Sequence, residues 1–261
     1  MYLDLSKNPS EWECPNDISV VFFCAGISSI RICEENPRLT YLVNVTNTIK
    51  LIERLVQKGL NVIFLSSNMV FDGLSPYATV NQYPNPKTEY GRQKFDAENM
   101  LLKLGSLVSI VRITKIINLK HRLINNWVNS LKRKEIIFPF EDMFLSPIHT
   151  STLVEILSNI AKNKVGGLMH LSSDKDITYL DLAYKIAKVI GEDKTLIKPI
   201  SFRNGDYNLK FINHHTSLKI NSTVNQLGIK PPTIVEAVLQ LEKEYIDAST
   251  KFYNFKSNFI N

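Results

Sequence analysis

Apolar runs and helical patterns alternate along the first half of the chain. The runs ISVVFFCAG (18–26), NVIFLSS (61–67) and LVSIVRI (107–113) are almost continuously apolar, which is typical of strands buried on both faces of a parallel sheet. Between them, apolar residues recur at helical spacing over 37–59 and over roughly 88–104. This alternation predicts an α/β fold built on a doubly wound parallel sheet.

The second half of the chain has a looser pattern. Helical periodicity covers 121–134, 151–163 and 177–191, a short strand is expected at 167–173, and a last helix follows two adjacent prolines. We therefore expect a smaller C-terminal α/β lobe that packs on the first half.

Composition narrows the class of protein. The 261 residues are 44% hydrophobic and 21% charged, as in ordinary globular proteins, and the longest apolar run (20–27) is far shorter than the ~20 residues that cross a bilayer. The N-terminus has no basic flank before an apolar stretch, so we expect a cytoplasmic protein without a signal peptide. The net charge of +6 is spread along the chain, and we expect neither a nucleic-acid partner nor a membrane partner.

The cysteines and histidines do not form a recognisable metal or disulfide pattern. Cys14, Cys24 and Cys33 are odd in number and lack C-x-x-C spacing, so they are interpreted as buried or idle thiols. His214 and His215 have no carboxylate or cysteine at ligand spacing. No metal site is expected.

A tyrosine four residues before a lysine occurs three times in the chain. Tyr83 and Lys87 lie among prolines that prevent a regular helix, so these two side chains are not expected to share a face. Tyr184 and Lys188 lie on a helix of the second half with no serine-bearing strand end before it. That position favours a structural interpretation, a partly buried tyrosine beside a solvated lysine.

The third pair, Tyr90 and Lys94, begins the helix that follows strand 61–67, and this strand ends in Ser66 and Ser67. Ligands of parallel α/β sheets bind at the carboxyl ends of the strands, and helical spacing points the phenol and the ammonium the same way. A nearby ammonium favours the phenolate, so we expect Lys94 to lower the pKa of Tyr90. With a serine that hydrogen-bonds the same substrate oxygen, the pair forms a proton-transfer set for carbonyl and alcohol chemistry.

The segment FLSSNMVFDGLSPYATVNQYPNPKTEYGRQKFDAE (64–98) resembles extended short-chain dehydrogenases/reductases, and within them the dTDP-4-dehydrorhamnose reductase group. The similar features are a strand ending in Ser, then V-F-D-G, then N-P-x-x-x-Y-G-x-x-K. Upstream, 33–53 carries the family's N-V-x-x-T; downstream, IVRIT (110–114) and the region around the 177–191 helix are also similar. The resemblance runs from about residue 2 to residue 245.

The resemblance implies roles for the matching residues. Tyr90 would be the general acid that protonates a ketone oxygen during hydride transfer, Lys94 would bind the nicotinamide ribose, and Ser67 would hydrogen-bond the reacting carbonyl. The implied cofactor-binding residues are Ala25, Gly26, Ile27, Tyr90 and Lys94, and the implied substrate-binding residues are Ser67, Asn68 and Lys115. At Asn68, Met69 and Lys115 the chain departs from the group, which has Asp, Tyr and Trp there.

The same resemblance implies the fold and the reaction. Residues 1–118 would form a truncated Rossmann-type dinucleotide-binding domain, residues 119–245 a smaller substrate lobe interleaved with it, and residues 246–261 a tail. The implied activity is NAD(P)H-dependent reduction of a nucleotide-activated 4-keto-6-deoxy sugar, in the synthesis of surface polysaccharide. The nucleotide sugar is the expected small-molecule partner.

A Gly-rich phosphate loop is absent from the sequence. The ten glycines form neither G-x-G nor G-x-x-G, although NAD(P)-binding folds place such a turn against the pyrophosphate. Because 18–26 resembles the family's fourth strand, we expect the chain to begin after the first βαβ unit. The strand edge near Val20 would then lack a neighbour, and we expect it to be covered by the N-terminal residues folding back, by a second copy or by a partner chain.

Two alternatives to the enzyme remain open. The scaffold can serve as a catalytically silent nucleotide-sugar-binding or regulatory protein, as in the regulatory beta subunit of methionine adenosyltransferase, or the chain can be a 5′-truncated reductase. Intact Ser67, Tyr90 and Lys94 favour the enzyme, whereas the absent glycine loop favours the alternatives. Outside this set, His149 is expected to cap or pack at a helix start, and Arg112 to brace the end of its strand.

Overall fold

A parallel sheet organises the structure, a computed structural model that describes residues 2–203 and 213–257. The strands are β1 (Val20–Phe23), β2 (Asn61–Ser67), β3 (Val108–Ile113), β4 (Ile116–Ile117), β5 (Phe144–Leu145), β6 (Ile148–His149), β7 (Gly167–Leu171) and β8 (Ile177–Thr178). Four of them form the main sheet in the order β1-β2-β3-β7, with every neighbouring pair parallel. The α/β fold with a parallel sheet that the sequence predicted is confirmed.

Nine helices of the described residues surround the sheet or build the second lobe. They are α1 (Ile30–Glu35), α2 (Pro37–Tyr41), α3 (Thr48–Gln57), α4 (Glu89–Leu101), α5 (Arg122–Lys132), α6 (Thr150–Asn163), α7 (Tyr179–Ile190), α8 (Asn221–Leu227) and α9 (Ile234–Ser257). Their ends carry the expected signals: Thr178 and Asp181 form a capping box at the start of α7, which ends at Gly191 with φ 70°.

Three apolar clusters hold these layers together. One face of the sheet packs on α3 and α4 through residues such as Ile52, Phe64 and Leu101, and the other face packs on α6. The third cluster lies between α5, α7 and α9 and includes Leu131 and Ile186. The second lobe therefore has a core of its own.

The second half of the chain contributes one strand, β7, to the main sheet. Strand β7 pairs with β3 in parallel, with Val111 opposite Met169. The fourth strand thus comes from the segment that was assigned to the substrate lobe, so the two segments are interleaved at the sheet. The domain boundaries at 118 and 245 stay a prediction.

Two predicted elements differ from the structure. The strand expected over 18–26 covers only Val20–Phe23, because the chain leaves the ladder at Cys24 and turns at Gly26, whose φ is 149°. The helix expected over 37–59 contains a π-helical segment, Leu42–Asn47. That segment directs the buried side chains of Asn44 and Asn47 to distant backbone groups, which explains the departure from regular α-helical geometry.

Strand β1 lies at one end of the main sheet and pairs only with β2 among the described residues. Phe22 on this strand is 46% exposed. Among the described N-terminal residues none pairs with this edge as a strand: Leu5 packs beside the start of α3, where the carboxamide of Asn47, the last residue of the π-helical segment, donates to the carbonyl of Leu5 at 2.9 Å. The cover of this edge, by the N-terminal residues, by a second copy or by a partner chain, stays a prediction.

Over 2–203 and 213–257, no helix has both the length and the apolar character needed to cross a bilayer. The cytoplasmic location stays a prediction.

Candidate active site

A cavity of about 920 Å³ opens at the carboxyl ends of β1, β2 and β3, between the sheet and the second lobe. This is where the topology of a parallel α/β sheet places ligands, because the loops that follow neighbouring strands meet at one edge. All eight residues singled out from the sequence line it: Ala25, Gly26, Ile27, Ser67, Asn68, Tyr90, Lys94 and Lys115.

Tyr90 is positioned by a tight junction between α4 and the turn after β2. Thr88 caps α4 by accepting a hydrogen bond from the Gly91 amide at 3.1 Å. A Cβ on Gly91 would come within 2.2 Å of the Met69 carbonyl oxygen, so only glycine allows this approach. The junction brings the first turn of α4 against the residues that follow Ser67.

Burial dominates the electrostatics of Tyr90. It raises the pKa of Tyr90 to about 12, and a hydrogen bond with Ser67 opposes the shift only in part. The expectation of a Tyr90 pKa below its ordinary value is therefore wrong for this arrangement. The physical reason is that burial removes the solvation of the phenolate, and the hydrogen bond with Ser67 stabilises the phenolate by less than this loss.

Lys94 is buried beneath the tyrosine. Its ammonium donates to the carbonyl oxygen of Leu65 at 2.8 Å, lies 4.4 Å from the centroid of the Phe64 ring, and lies 5.9 Å from the centroid of the Tyr90 ring. Burial lowers the pKa of Lys94 to about 8, and the Glu98 carboxylate opposes this shift. At neutral pH the side chain is still mainly charged.

Ser67 ends β2 and is 8% exposed. Its hydroxyl accepts a hydrogen bond from the Met69 amide at 3.1 Å, which starts the short 3-10 turn Asn68–Val70. The hydroxyl hydrogen remains available to a ligand or to Tyr90. The turn also places Asn68 on the cavity wall.

The loop after β1 is held by Asn44, a residue that the sequence analysis did not single out. Its carboxamide accepts from the Ile27 amide at 2.7 Å and donates to the Ile27 carbonyl at 2.9 Å. It also donates to Gln93 on α4 at 2.8 Å. The loop that lines the cavity is thereby tied to the helix that carries Tyr90 and Lys94. The N-V-x-x-T motif contained Asn44, but nothing local indicated its partners.

A buried ion pair between Arg112 and Glu98 connects β3 to α4 next to the cavity. Arg112 on β3 contacts the carboxylate of Glu98 on α4 through Nε and through Nη2, which lies 2.7 Å away, and its Nη1 lies 3.3 Å from Nε2 of His170. The Ser66 hydroxyl also donates to Glu98. Burial and the neighbouring guanidinium lower the pKa of His170 to about 3. Arg112 thus braces the strand end as expected, whereas the sequence did not reveal Glu98 as its partner.

The other candidates lie outside the chemistry of this cavity. Tyr83 is 81% exposed in a non-helical segment, and Tyr184 is exposed on α7. His149 caps α6 by accepting from the Ser151 amide at 3.2 Å. His215 approaches Asp176 at 3.3 Å, and no cluster of three metal-ligating side chains occurs within 2–203 and 213–257.

The cysteines differ from one another in exposure. Cys14 and Cys33 are buried, and Cys24 is exposed. Cys24 lines the cavity, and partial burial of its sulfur raises the pKa of the thiol. A raised pKa keeps this thiol protonated at neutral pH and therefore weakly nucleophilic.

Comparison with known protein families gives one match that spans most of the chain. Residues 13–246 match the family described as RmlD substrate binding domain. The chain belongs to this family.

Relatives of this member of the RmlD substrate binding domain family include a protein named as a reductase and a methionine adenosyltransferase subunit. It is 25% identical over 241 residues to a protein of Haloferax volcanii named "Probable low-salt glycan biosynthesis reductase Agl14", covering 90% of this chain and 80% of that protein. It is 24% identical over 193 residues to methionine adenosyltransferase 2 subunit beta of Xenopus laevis, covering 70% of this chain and 58% of that protein.

The fold is similar to that of a solved dTDP-4-dehydrorhamnose reductase from Bacillus anthracis in complex with NADP. The TM-score is 0.78 at 18% sequence identity, and the match covers 87% of this chain and 80% of that one. At this identity the similarity demonstrates the shared fold.

The residues of this RmlD-family chain fit one end of a nicotinamide cofactor. Lys94 uses one of its three N–H donors on Leu65 and keeps two for ligand hydroxyls. Gly26 allows close approach near Asn44, because a Cβ there would lie 3.0 Å from the Asn44 Oδ1. The fit described by these residues concerns the nicotinamide end, and the ten glycines of the sequence form neither G-x-G nor G-x-x-G.

Proposed function

We propose that this chain reduces a keto group on the sugar of a nucleotide-activated sugar, with NAD(P)H as the hydride donor. The observation that carries the proposal is the convergence of Ser67, Tyr90 and Lys94 on one cavity at the carboxyl edge of the sheet. Its family, its similarity to a glycan biosynthesis reductase and its fold similarity to an NADP-bound reductase support the same reading.

Ser67 and Tyr90 have different roles at the carbonyl oxygen of the substrate. The Ser67 hydroxyl donates a hydrogen bond to that oxygen and holds the ketone in the cavity. A bound nicotinamide cofactor would supply the hydride that adds to the carbonyl carbon. As the hydride adds, Tyr90 donates its phenolic proton to the carbonyl oxygen, which leaves a phenolate and a secondary alcohol. The phenolate then regains a proton from solvent through the open cavity.

Burial sets the protonation state of Tyr90 before the reaction. With a pKa raised to about 12, Tyr90 is fully protonated at neutral pH and is ready to act as an acid. The same shift makes the phenol a weaker acid, so the phenolate that forms must be stabilised for the proton to leave. Lys94 lies 5.9 Å from the tyrosine ring centroid and stabilises the phenolate once it forms.

The finer substrate in this proposal is a 4-keto-6-deoxy sugar attached to a nucleoside diphosphate, used in surface polysaccharide synthesis in the cytoplasm. The motif order around Tyr90 supports the sugar class. Asn68 and Lys115 are the residues of the cavity that contact the sugar nucleotide in this proposal.

Turnover of the purified chain tests the proposal directly. With dTDP-4-keto-6-deoxyglucose and NADPH or NADH, we expect loss of the reduced-nicotinamide absorbance and formation of the 6-deoxy sugar nucleotide. Tyr90→Phe should lower kcat by about 10²-fold or more, because general acid catalysis supplies factors of this size. Tyr184→Phe, in the exposed Tyr-x-x-x-Lys pair on α7, is the matched control and should leave kcat unchanged. Equal turnover in Tyr90→Phe and the unchanged chain would refute the assignment.

A second candidate function is a catalytically silent nucleotide-sugar-binding or regulatory protein. The absence of a glycine-rich turn and the similarity to a methionine adenosyltransferase beta subunit favour it. Calorimetry with NADH and NADPH separates the two functions. Binding at micromolar strength supports the reductase, whereas no binding at millimolar cofactor together with binding of a nucleotide sugar supports the silent protein.

A further inference from the structure

The ammonium of Lys94 lies over an aromatic ring that the proposed mechanism does not use. This ring belongs to Phe64 on β2, and its centroid lies 4.4 Å from Lys94 Nζ. Phe64 is 1% exposed and lies behind the cavity wall, which residues 65–67 of the same strand form at this place. The ring is therefore out of reach of a ligand, and it can act on the reaction only through Lys94.

The position of the Phe64 ring is fixed by its place in the main sheet. Strand β2 lies between β1 and β3, with Phe23 opposite Phe64 on one side and Ile110 opposite it on the other. All three side chains belong to the apolar cluster between the sheet and the helices α3 and α4, and the centroid of the Phe23 ring lies 6.1 Å from that of Phe64. Because close packing on all sides restricts the ring, the ammonium meets the same aromatic surface throughout the reaction.

Lys94 has few other groups that compensate its charge. It is 9% exposed, and its ammonium donates to the carbonyl oxygen of Leu65 at 2.8 Å. In the part of the chain that the structure describes, no carboxylate forms an ion pair with this ammonium. A buried charge is unfavourable unless neighbouring groups replace the water that it has lost. The negative face of an aromatic ring within about 6 Å of a cation does this.

Most of the titratable groups around the Lys94 ammonium are neutral at neutral pH. These groups are Tyr90 and Glu98 on α4, Cys33 on α1, and Cys24 directly after β1. Burial raises the pKa of the phenol and of both thiols, which keeps them protonated. The Glu98 carboxylate is already paired with Arg112 at 2.7 Å. The Phe64 ring therefore provides a stabilisation of the Lys94 charge that does not itself titrate.

We propose that Phe64 is a positioning residue of the reductase: its ring keeps the Lys94 ammonium charged at the pH of the reaction and holds it at the cavity wall. The inference rests on the proposed function for the roles of Lys94, which are to bind a ribose hydroxyl and to stabilise the Tyr90 phenolate. A neutral amine has one hydrogen-bond donor fewer and no charge, so it performs both roles less well. The contact between ring and ammonium does not depend on the function.

Competitive acetylation of Lys94 measures its protonation without any turnover. Trace acetic anhydride reacts only with the neutral amine, and Lys94 lines the open cavity where a small reagent can reach it. The pH dependence of acetylation, read by peptide mass spectrometry, should have its midpoint near pH 8 in the unchanged chain, because burial lowers the pKa of Lys94 to about 8. Phe64→Leu keeps an apolar side chain and removes the ring, so the midpoint should fall by about one pH unit.

Two further variants separate the face of the ring from its packing. Phe23→Leu makes the same change at the neighbouring ring of the same apolar cluster and should leave the midpoint of Lys94 unchanged. A ring-fluorinated phenylalanine at position 64, introduced by amber suppression, nearly keeps the shape of the ring and weakens its negative face. This variant should lower the midpoint as Phe64→Leu does, and it serves if the loss of the ring prevents folding. Thermal unfolding checks that each variant is folded.

The pH profile of turnover connects this contact to the reaction. Lys94 loses its charge as the pH rises, so kcat/KM should fall on the alkaline side of the profile. In Phe64→Leu this alkaline limb should move down by the same distance of about one pH unit. At a pH well below both midpoints Lys94 is charged in either chain, and their kcat/KM values should agree. A role in packing alone would instead lower kcat/KM at every pH.

The outcomes separate this proposal from the proposed function. Equal acetylation midpoints in the unchanged chain and in both variants at position 64 would overturn the role of the ring, even if the chain is a reductase. An equal fall in Phe64→Leu and Phe23→Leu would assign the effect to loosened packing, which also overturns it. A fall confined to changes at Phe64, in a chain without turnover, would support the effect of the ring on Lys94 and reject the reductase.

Discussion

The buried ammonium of Lys94 makes the stability of this protein depend on pH in a defined window. Burial lowers its pKa from 10.5 to about 8, so between these values the unfolded chain binds a proton that the folded chain has released. Stability rises with pH wherever the unfolded state binds more protons. The sign is therefore fixed: the contribution of Lys94 is least favourable below pH 8 and improves up to the unfolded pKa.

The magnitude follows from the width of that window. Each pH unit contributes about 1.4 kcal/mol per proton, so from about pH 7 to pH 9.5 the free energy of unfolding should gain roughly 2 kcal/mol from this one group. Other titrating groups also make the free energy of unfolding depend on pH, but a Lys94→Met variant contains the same groups. The difference between the two proteins isolates the lysine.

Urea unfolding followed by tryptophan fluorescence measures this difference. Trp12 and Trp127 report on the two halves of the chain. We expect the free energy of unfolding of the unchanged chain, minus that of Lys94→Met, to rise by roughly 2 kcal/mol between about pH 7 and 9.5. If the two pH profiles run parallel, the ammonium is not desolvated and the account of Lys94 is refuted.

Further predictions concern the supports of the site. Glu98→Ala should lower the free energy of unfolding by about 3–5 kcal/mol, since it leaves Arg112 buried and unpaired, whereas loss of the exposed Glu35 should change it by less than about 1 kcal/mol. Equal effects in urea unfolding would contradict the buried ion pair. Gly91→Ala should destabilise the chain by about 1–3 kcal/mol, because its Cβ would collide with the Met69 carbonyl. An unchanged unfolding midpoint would show that this junction can relax.

Burial shifts the pKa values of Tyr90 and Lys94 in opposite directions, because one is neutral and the other is charged when protonated. It raises the pKa of the phenol and lowers that of the ammonium, because each neutral form loses less solvation than its ion. The two groups are only 5.9 Å apart, measured from the ammonium to the ring centroid, yet their attraction appears only when both are ionised. The pair is thus arranged to favour a protonated Tyr90 before reaction and a stabilised phenolate after it.

Local patterns in the sequence identified most of the helices and strands, and they identified eight residues that line the cavity. Continuous apolar runs identified the strands at 61–67 and 107–113 because strands covered on both faces need no polar alternation. Helical spacing placed Tyr90 and Lys94 on one face, and the prolines around Tyr83 excluded its match. Parallel topology then brought residues after neighbouring strands to one edge, which is a property of the fold and not of any side chain.

Only the tertiary structure decided the energetics of the site. Asn44 meets Gln93 across 49 positions of sequence, and Arg112 meets Glu98 across 14, and neither contact has a local signature. The pKa of Tyr90 depends on how much water the packed side chains exclude from the phenol. The spacing between Tyr90 and Lys94 in the sequence carries no information about this exclusion. The shift expected from the sequence therefore had the wrong sign. Periodicity is set by neighbours along the chain, whereas solvation and ion pairing are set by neighbours in space.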